Sequence, residues 1–109
     1  MPATTVRFDQ IRSLPFGSIS GTYTSLGGPT AHLMRMMKIV NNSNADITLS
    51  FDAVNDNDYI PANSFALYDF ETNTDASFEF YLALGTQIYI KGSPSSGSVY
   101  AILIYGKGQ

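Results

Sequence analysis

Turn-forming residues interrupt this chain every 8 to 15 residues, which caps the length of any element it can build. The clusters are Ser13-Leu14-Pro15, Gly27-Gly28-Pro29, Asn41-Asn42-Ser43-Asn44, Asn55-Asp56-Asn57-Asp58, Pro61-Ala62-Asn63, Glu71 to Asp75, Gly85, and Gly92 to Gly97. Glycine admits positive φ, proline removes a donor, and Asn and Asp bond their own backbone, so each cluster ends regular structure. Between them lie short runs of Ile, Val, Thr, Tyr and Phe, which suit a pleated, half-buried surface. The sequence predicts strands near 4–11, 17–24, 31–40, 46–52, 64–70, 78–83, 86–91 and 98–105. Short strands at this spacing belong to an all-β sandwich or barrel. The expected fold is an antiparallel β-sandwich of about eight strands.

With 109 residues there is material for one domain. We take it as 14–109, with 1–13 forming either an N-terminal arm or an ordinary first strand. The residues Val6, Phe8 and Ile11 alternate imperfectly, as an edge strand or a docking arm would, and Arg7 and Arg12 add carboxylate-pairing groups. By contrast, Ile47-Thr48-Leu49-Ser50-Phe51-Asp52 alternates with a clean period of two. The stretch Leu33 to Val40 is ambiguous. Its apolar residues Leu33, Met36, Met37 and Val40 would line one helical face, and Met34, Met36 and Val40 set against Arg35 and Lys38 fit neither period fully. The Gly-Gly-Pro before it and the absence of a capping pair favour a strand, with a helix as the alternative.

Two segments are apolar on both faces: Val99 to Tyr105, and Phe78 to Leu84 apart from Glu79. In a two-layer sandwich each strand has one inward face, so part of this surface is expected to form contacts between subunits. The interface candidates are Val6, Arg7, Phe8, Ile11 and Arg12 at the start of the chain, with Tyr89, Tyr100, Ile102 and Ile104.

Only 14% of residues are charged, against about 25% in an average globular chain. The formal net charge of −3 argues against nucleic acid or an anionic membrane as partner. No apolar run approaches the roughly 20 residues that span a bilayer. Met1 to Thr5 lacks the charged and apolar regions of a signal peptide, so none is expected. With no cysteine, disulfides, thiolate metal sites and a cysteine nucleophile are excluded.

Little else points to chemistry. His32 is the lone histidine, and no nucleophile-elbow pattern accompanies a serine. Glu71 and Glu79 are the only glutamates, and a chain this short leaves little material for a cleft between paired carboxylates. The expectation is no enzyme and no cofactor. Asp52, Asp56 and Asp58 are the metal candidates, since clustered Asp and Asn supply the hard oxygens calcium takes. The run lacks the Gly and Glu of an EF-hand loop, so the favoured reading is a self-bonded turn. The sequon Asn41-Asn42-Ser43 is read as a hairpin turn. Gly92 to Gly97 is read as a hairpin joining 86–91 to 98–105, with no phosphate-loop lysine. Seven tyrosines invite sugar stacking, although there is no Trp.

Three runs together carry a resemblance. They are Ile39 to Asp52 (IVNNSNADITLSFD), Asp56 to Phe65 (DNDYIPANSF) and Gly85 to Tyr100 (GTQIYIKGSPSSGSVY). Over Val40 to Gly106, about two thirds of the chain, this pattern resembles small virion structural proteins of tailed bacteriophages. The resemblance implies a β-sandwich or jelly-roll-like fold that decorates a capsid or joins collars, tails and fibres, and no catalytic residues. The expected function is a non-enzymatic, multi-copy capsid decoration or cement protein. Its expected partners are further copies of itself and the major capsid protein or other virion proteins. Its expected location is the virion, assembled in the host cytoplasm. A head–tail collar or fibre-attachment protein and a carbohydrate- or receptor-binding module are the alternatives.

Overall fold

The computed structural model describes residues 4–69 and 82–108. Nine strands run through them: β1 (Thr4–Phe8), β2 (Arg12–Pro15), β3 (Thr24–Ser25), β4 (Met34–Ser43), β5 (Ile47–Ser50), β6 (Asp58–Ile60), β7 (Ser64–Asp69), β8 (Tyr89–Gly92) and β9 (Gly97–Gly108). All pairings are antiparallel. One sheet has the order β1-β9-β4-β7, with β2 also on β9, and the other β3-β8-β5-β6. The two pack face to face as a β-sandwich.

The core is the set of inward positions of both sheets. From β4 come Met37 and Ile39, and from β9 Val99, Ala101 and Leu103. Facing them are Ile47 and Leu49 of β5, Ile60 of β6 and Ile90 of β8, with Ile88 just before β8. All are essentially solvent-free. Each aliphatic side chain so buried contributes about 1.5–3 kcal/mol relative to exposure.

From β2 onward, every connection between described strands except β5–β6 passes from one sheet to the other. The hairpin expected across Gly92 to Gly97 is therefore not formed. The strand before it pairs with β3 and β5, and the strand after it with β1, β2 and β4. Tight approach, not a hairpin turn, fixes Gly97. Its φ is +88°, and a Cβ there would stand 2.0 Å from the Asn42 carbonyl oxygen. The Asn41–Ser43 stretch is likewise strand, the end of β4, and not a turn.

Other expectations shift in detail. Instead of a strand over 17–24 there is a 3-10 turn at Phe16–Ser18, then irregular chain up to the two-residue β3. Ser13-Leu14-Pro15, expected as a turn, belongs to β2, where Pro15 ends an edge strand and its missing donor costs no ladder bond. Tyr59, next to a turn cluster, is in β6. The strand expected over 78–83 lies outside the described residues except for Leu82, which bridges Met34, and Ala83, which is in no strand.

The stretch 31–40 resolves as strand from Met34 onward, and its mixed period has a cause. Met34 pairs with Tyr105 but Met36 with Ile104, so the ladder slips by one residue. A β-bulge inserts one residue on one strand only. Inward phase is therefore carried by Met34 and then Met37, both fully buried, and Met36 turns outward. A second slip separates β1 from β2. Phe8 faces Ile104 and Arg12 faces Ala101, four steps along the edge against three along β9. Thr4–Phe8 and Arg12–Pro15 thus lie on β9 as one interrupted edge strand.

Candidate functional site

The outward side of the five-stranded sheet is where apolar surface accumulates. Register fixes its rows. Phe8, Ile104, Met36 and Asp69 face one another across β1, β9, β4 and β7. Ile102, Lys38 and Leu67 form the next row, and Tyr100, Val40 and Phe65 the one after. Alternate residues of a strand share a face, so these rows lie on one side, and Val6 extends it two residues beyond Phe8. Solvent reaches much of it: Phe8 is 68% exposed, Phe65 59%, Leu67 55% and Val6 64%. Met36, Val40, Tyr100, Ile102 and Ile104 are half-buried. At about 200 Å² per aromatic side chain, Phe8 and Phe65 alone leave about 250 Å² in water. The whole face exposes on the order of 500 Å² of apolar surface, comparable with the largest patch of a typical monomer, which is often functional. Within it the Lys38 ammonium stands 5.0 Å from the centre of the Phe65 ring.

Of the residues singled out in the sequence, Val6, Phe8, Tyr100, Ile102 and Ile104 come together here. The others do not. Arg7 faces Tyr105, on the opposite phase of β1. Ile11 projects, 56% exposed, from the break between β1 and β2. Arg12 is a clasp: its guanidinium donates to the carbonyls of Gly28 at 2.6 Å and Leu26 at 3.3 Å, and lies 3.8 Å from Asp9. Tyr89 is on β8, in the other sheet, opposite Ser25 and Ser50. Sequence reasoning missed Met36, Lys38, Val40, Phe65 and Leu67. The signal available was β7, where Phe65 and Leu67 on one phase and Ala66 and Tyr68 on the other make both faces apolar.

The acidic run forms separate contacts. Asp52 accepts from the Val54 and Asn55 amides at 2.9 and 2.8 Å, the Asn55 side chain at 2.9 Å and the Ser50 hydroxyl at 2.9 Å. These donors, backbone amides foremost, hold its carboxyl well below the usual carboxylate range. Asp56 accepts from the Tyr23 hydroxyl and pairs with Lys91 at 3.0 Å, whose ammonium lies 4.5 Å from the Tyr23 ring centre. Asp58 accepts from the Tyr59 amide and the Tyr68 hydroxyl, joining the two edge strands β6 and β7. Burial first, and then Asp58, push the Tyr68 phenol upward. Among the described residues no three carboxylate or imidazole groups converge as a metal site. Each of the three aspartates bonds to local donors.

Two further features lie apart from the apolar face. His32 stacks flat on Tyr105, ring centres 3.8 Å apart and planes 3° off parallel. An open depression of about 430 Å³ on the four-stranded sheet is lined by Thr48, Asp56, Asn57, Asp58 and Tyr59. Tyr59 is 63% exposed there.

No protein-family model matches the chain, and no curated protein or solved structure matches it either.

Proposed function

We propose that this chain is a non-enzymatic building block of a bacteriophage particle, present in many copies on the shell as a decoration or cement protein. The observation that carries the reading is the apolar face spread over β1, β9, β4 and β7, ending in exposed Phe8, Phe65 and Leu67. Low charge and the resemblance over Val40 to Gly106 support it. So does the strand order. With β1 and β2 taken as one interrupted strand, β1-β9-β4-β7 over β3-β8-β5-β6 reads as the two Greek keys of a jelly roll, an architecture of viral capsid and lectin domains. The mechanism is burial. About 25 cal/mol per Å² over some 500 Å² gives on the order of 12 kcal/mol per copy. Association costs of about 4–15 kcal/mol offset much of this, and repetition over a shell compounds the remainder. Quantitative mass spectrometry of purified particles tests the reading. The chain is expected in numbers comparable to the shell subunit. A few copies per particle would instead assign it to a collar or fibre attachment, and its absence would overturn the proposal.

A second reading, a carbohydrate- or receptor-binding module, is favoured by exposed Tyr59 beside hydroxyl, amide and carboxylate groups in the open depression. It predicts saturable binding on a glycan array that Tyr59→Ala abolishes, with no dependence on calcium. A flat array removes it.

A further inference from the structure

We infer that β1 is an exchangeable arm, which leaves its own β9 and pairs with β9 of a second copy in the same register, Phe8 against Ile104. The inference deepens the reading of the chain as a multi-copy assembly protein and rests on it for the crowding that drives exchange. β1 contributes nothing to the core. None of Thr5, Val6, Arg7 and Phe8 is buried, so the strand is held by its ladder to β9 and not by core packing. Much of that ladder stands clear of the next strand. β4 pairs with β9 only as far as Tyr105. Beyond it Thr4, Thr5 and Val6 face Gly108, Lys107 and Gly106 in a ribbon two strands wide among the described residues. Such a ribbon is marginally stable in water, and glycine weakens a strand further. Local opening of the arm therefore costs little.

The chain is next anchored at Arg12. Its guanidinium clasps the Leu26 and Gly28 carbonyls, and Leu14 packs against the core. Between arm and anchor lie Asp9, Gln10 and Ile11, one residue more than the two of β9 that they pass. This surplus uncouples β1 from β2 and forms the hinge. It is fastened by the Asp9 amide on the Leu103 carbonyl at 2.9 Å and by the Asp9–Arg12 pair, a weak contact at 3.8 Å. A second copy is the occupant because its residues 104–108 offer the same ladder and the same outward row that β1 already fits. Exchange between identical copies needs no new complementarity. Own and foreign β9 then compete by concentration. A short tether gives an effective concentration in the millimolar range, which copies packed side by side on a shell match.

The chain has no cysteine, so single introduced thiols report the pairing. Full-length Phe8→Cys is mixed with isotope-labelled Ile104→Cys in a glutathione redox buffer, and the linked heterodimer is counted by mass spectrometry. The two thiols face one another only when one copy's arm lies on the other's β9. Val6→Cys, similarly exposed but two residues out of register, replaces Phe8→Cys as the control for chance contact between apolar faces. Near-ultraviolet circular dichroism checks that each variant is folded. At about 1 mM chain the in-register pair is expected to link about tenfold more than the control, and its yield to fall at least about tenfold on dilution to about 10 µM. The double variant Phe8→Cys/Ile104→Cys is expected to close on itself at about 10 µM and to link separate copies at about 1 mM. The inference is overturned if the in-register and control pairs link alike, or if the double variant closes on itself at both concentrations. Either result leaves the copy number in purified particles to be judged separately, by mass spectrometry of the particles.

Discussion

The Asn41 side chain on β4 donates to the Ile60 carbonyl of β6 at 2.9 Å, across the gap between the two sheets. The same nitrogen reaches Ala45 and Pro61 carbonyls at 2.9 and 3.1 Å, and its oxygen accepts from the Ser43 amide and hydroxyl. The residue is fully buried. One side chain thus satisfies the backbone where the chain leaves one sheet for the other.

Removing it strands several of those groups without water, each at about 1–3 kcal/mol. Asn41→Ala is expected to cost about 3 kcal/mol, a fall in Tm on the order of 15 °C, read by thermal denaturation. The same burial blocks glycosylation: the sequon nitrogen is engaged inside the fold, so the folded chain is expected to remain unmodified by an oligosaccharyltransferase.

Gly97→Ala forces a Cβ into the Asn42 carbonyl at a φ only glycine adopts freely. A loss of at least about 2 kcal/mol is expected in urea unfolding. Gly17→Ala, where a Cβ meets nothing within 4 Å, is expected to stay within about 0.5 kcal/mol.

The bulge in β4 makes opposite predictions for adjacent methionines. Met37→Ala empties a fully buried site and is expected to cost about 2–5 kcal/mol. Met36→Ala, on the outer face, is expected to cost under about 1 kcal/mol. Equal losses in chemical denaturation would contradict the one-residue slip.

Asp52 gives a pH dependence. Its folded-state pKa is depressed, so its contribution is complete above the unfolded value near 3.9 and drains away as pH falls below that. Protection of the Val54 and Asn55 amides, taken relative to intrinsic exchange at each pH, is expected to fall on acidification below about pH 4. In Asp52→Asn the step should vanish.

Strand content was legible where a single face is buried. β5 follows the alternation of Ile47 and Leu49 against Thr48, and most of β9 lies inside the doubly apolar run from Val99. Sheet membership was not. Turn residues at Asn41 to Asn44 and Gly92 to Gly97 say that the chain changes direction, and nothing about which sheet receives it. Sequential strands usually pair, and here they mostly do not. The segment 17–24 misled because Ile19 and Tyr23 have β-branched and aromatic side chains, while its backbone bonds go elsewhere, as when Ser20 accepts from the Gly92 amide. The apolar face was half legible: doubly apolar β9 announced it, whereas Phe65 and Leu67 on β7 needed a pairing register that only tertiary structure supplies.

The position of β9 bears on how the chain is made. It arrives late in synthesis yet lies between β4 on one side and the β1–β2 edge on the other. Until residues 97–108 have left the ribosome, β1 and β2 have no sheet partner and β4 has only β7. Folding must therefore wait for late residues and close many distant contacts at once, a slow step that leaves the nascent chain dependent on protection from aggregation.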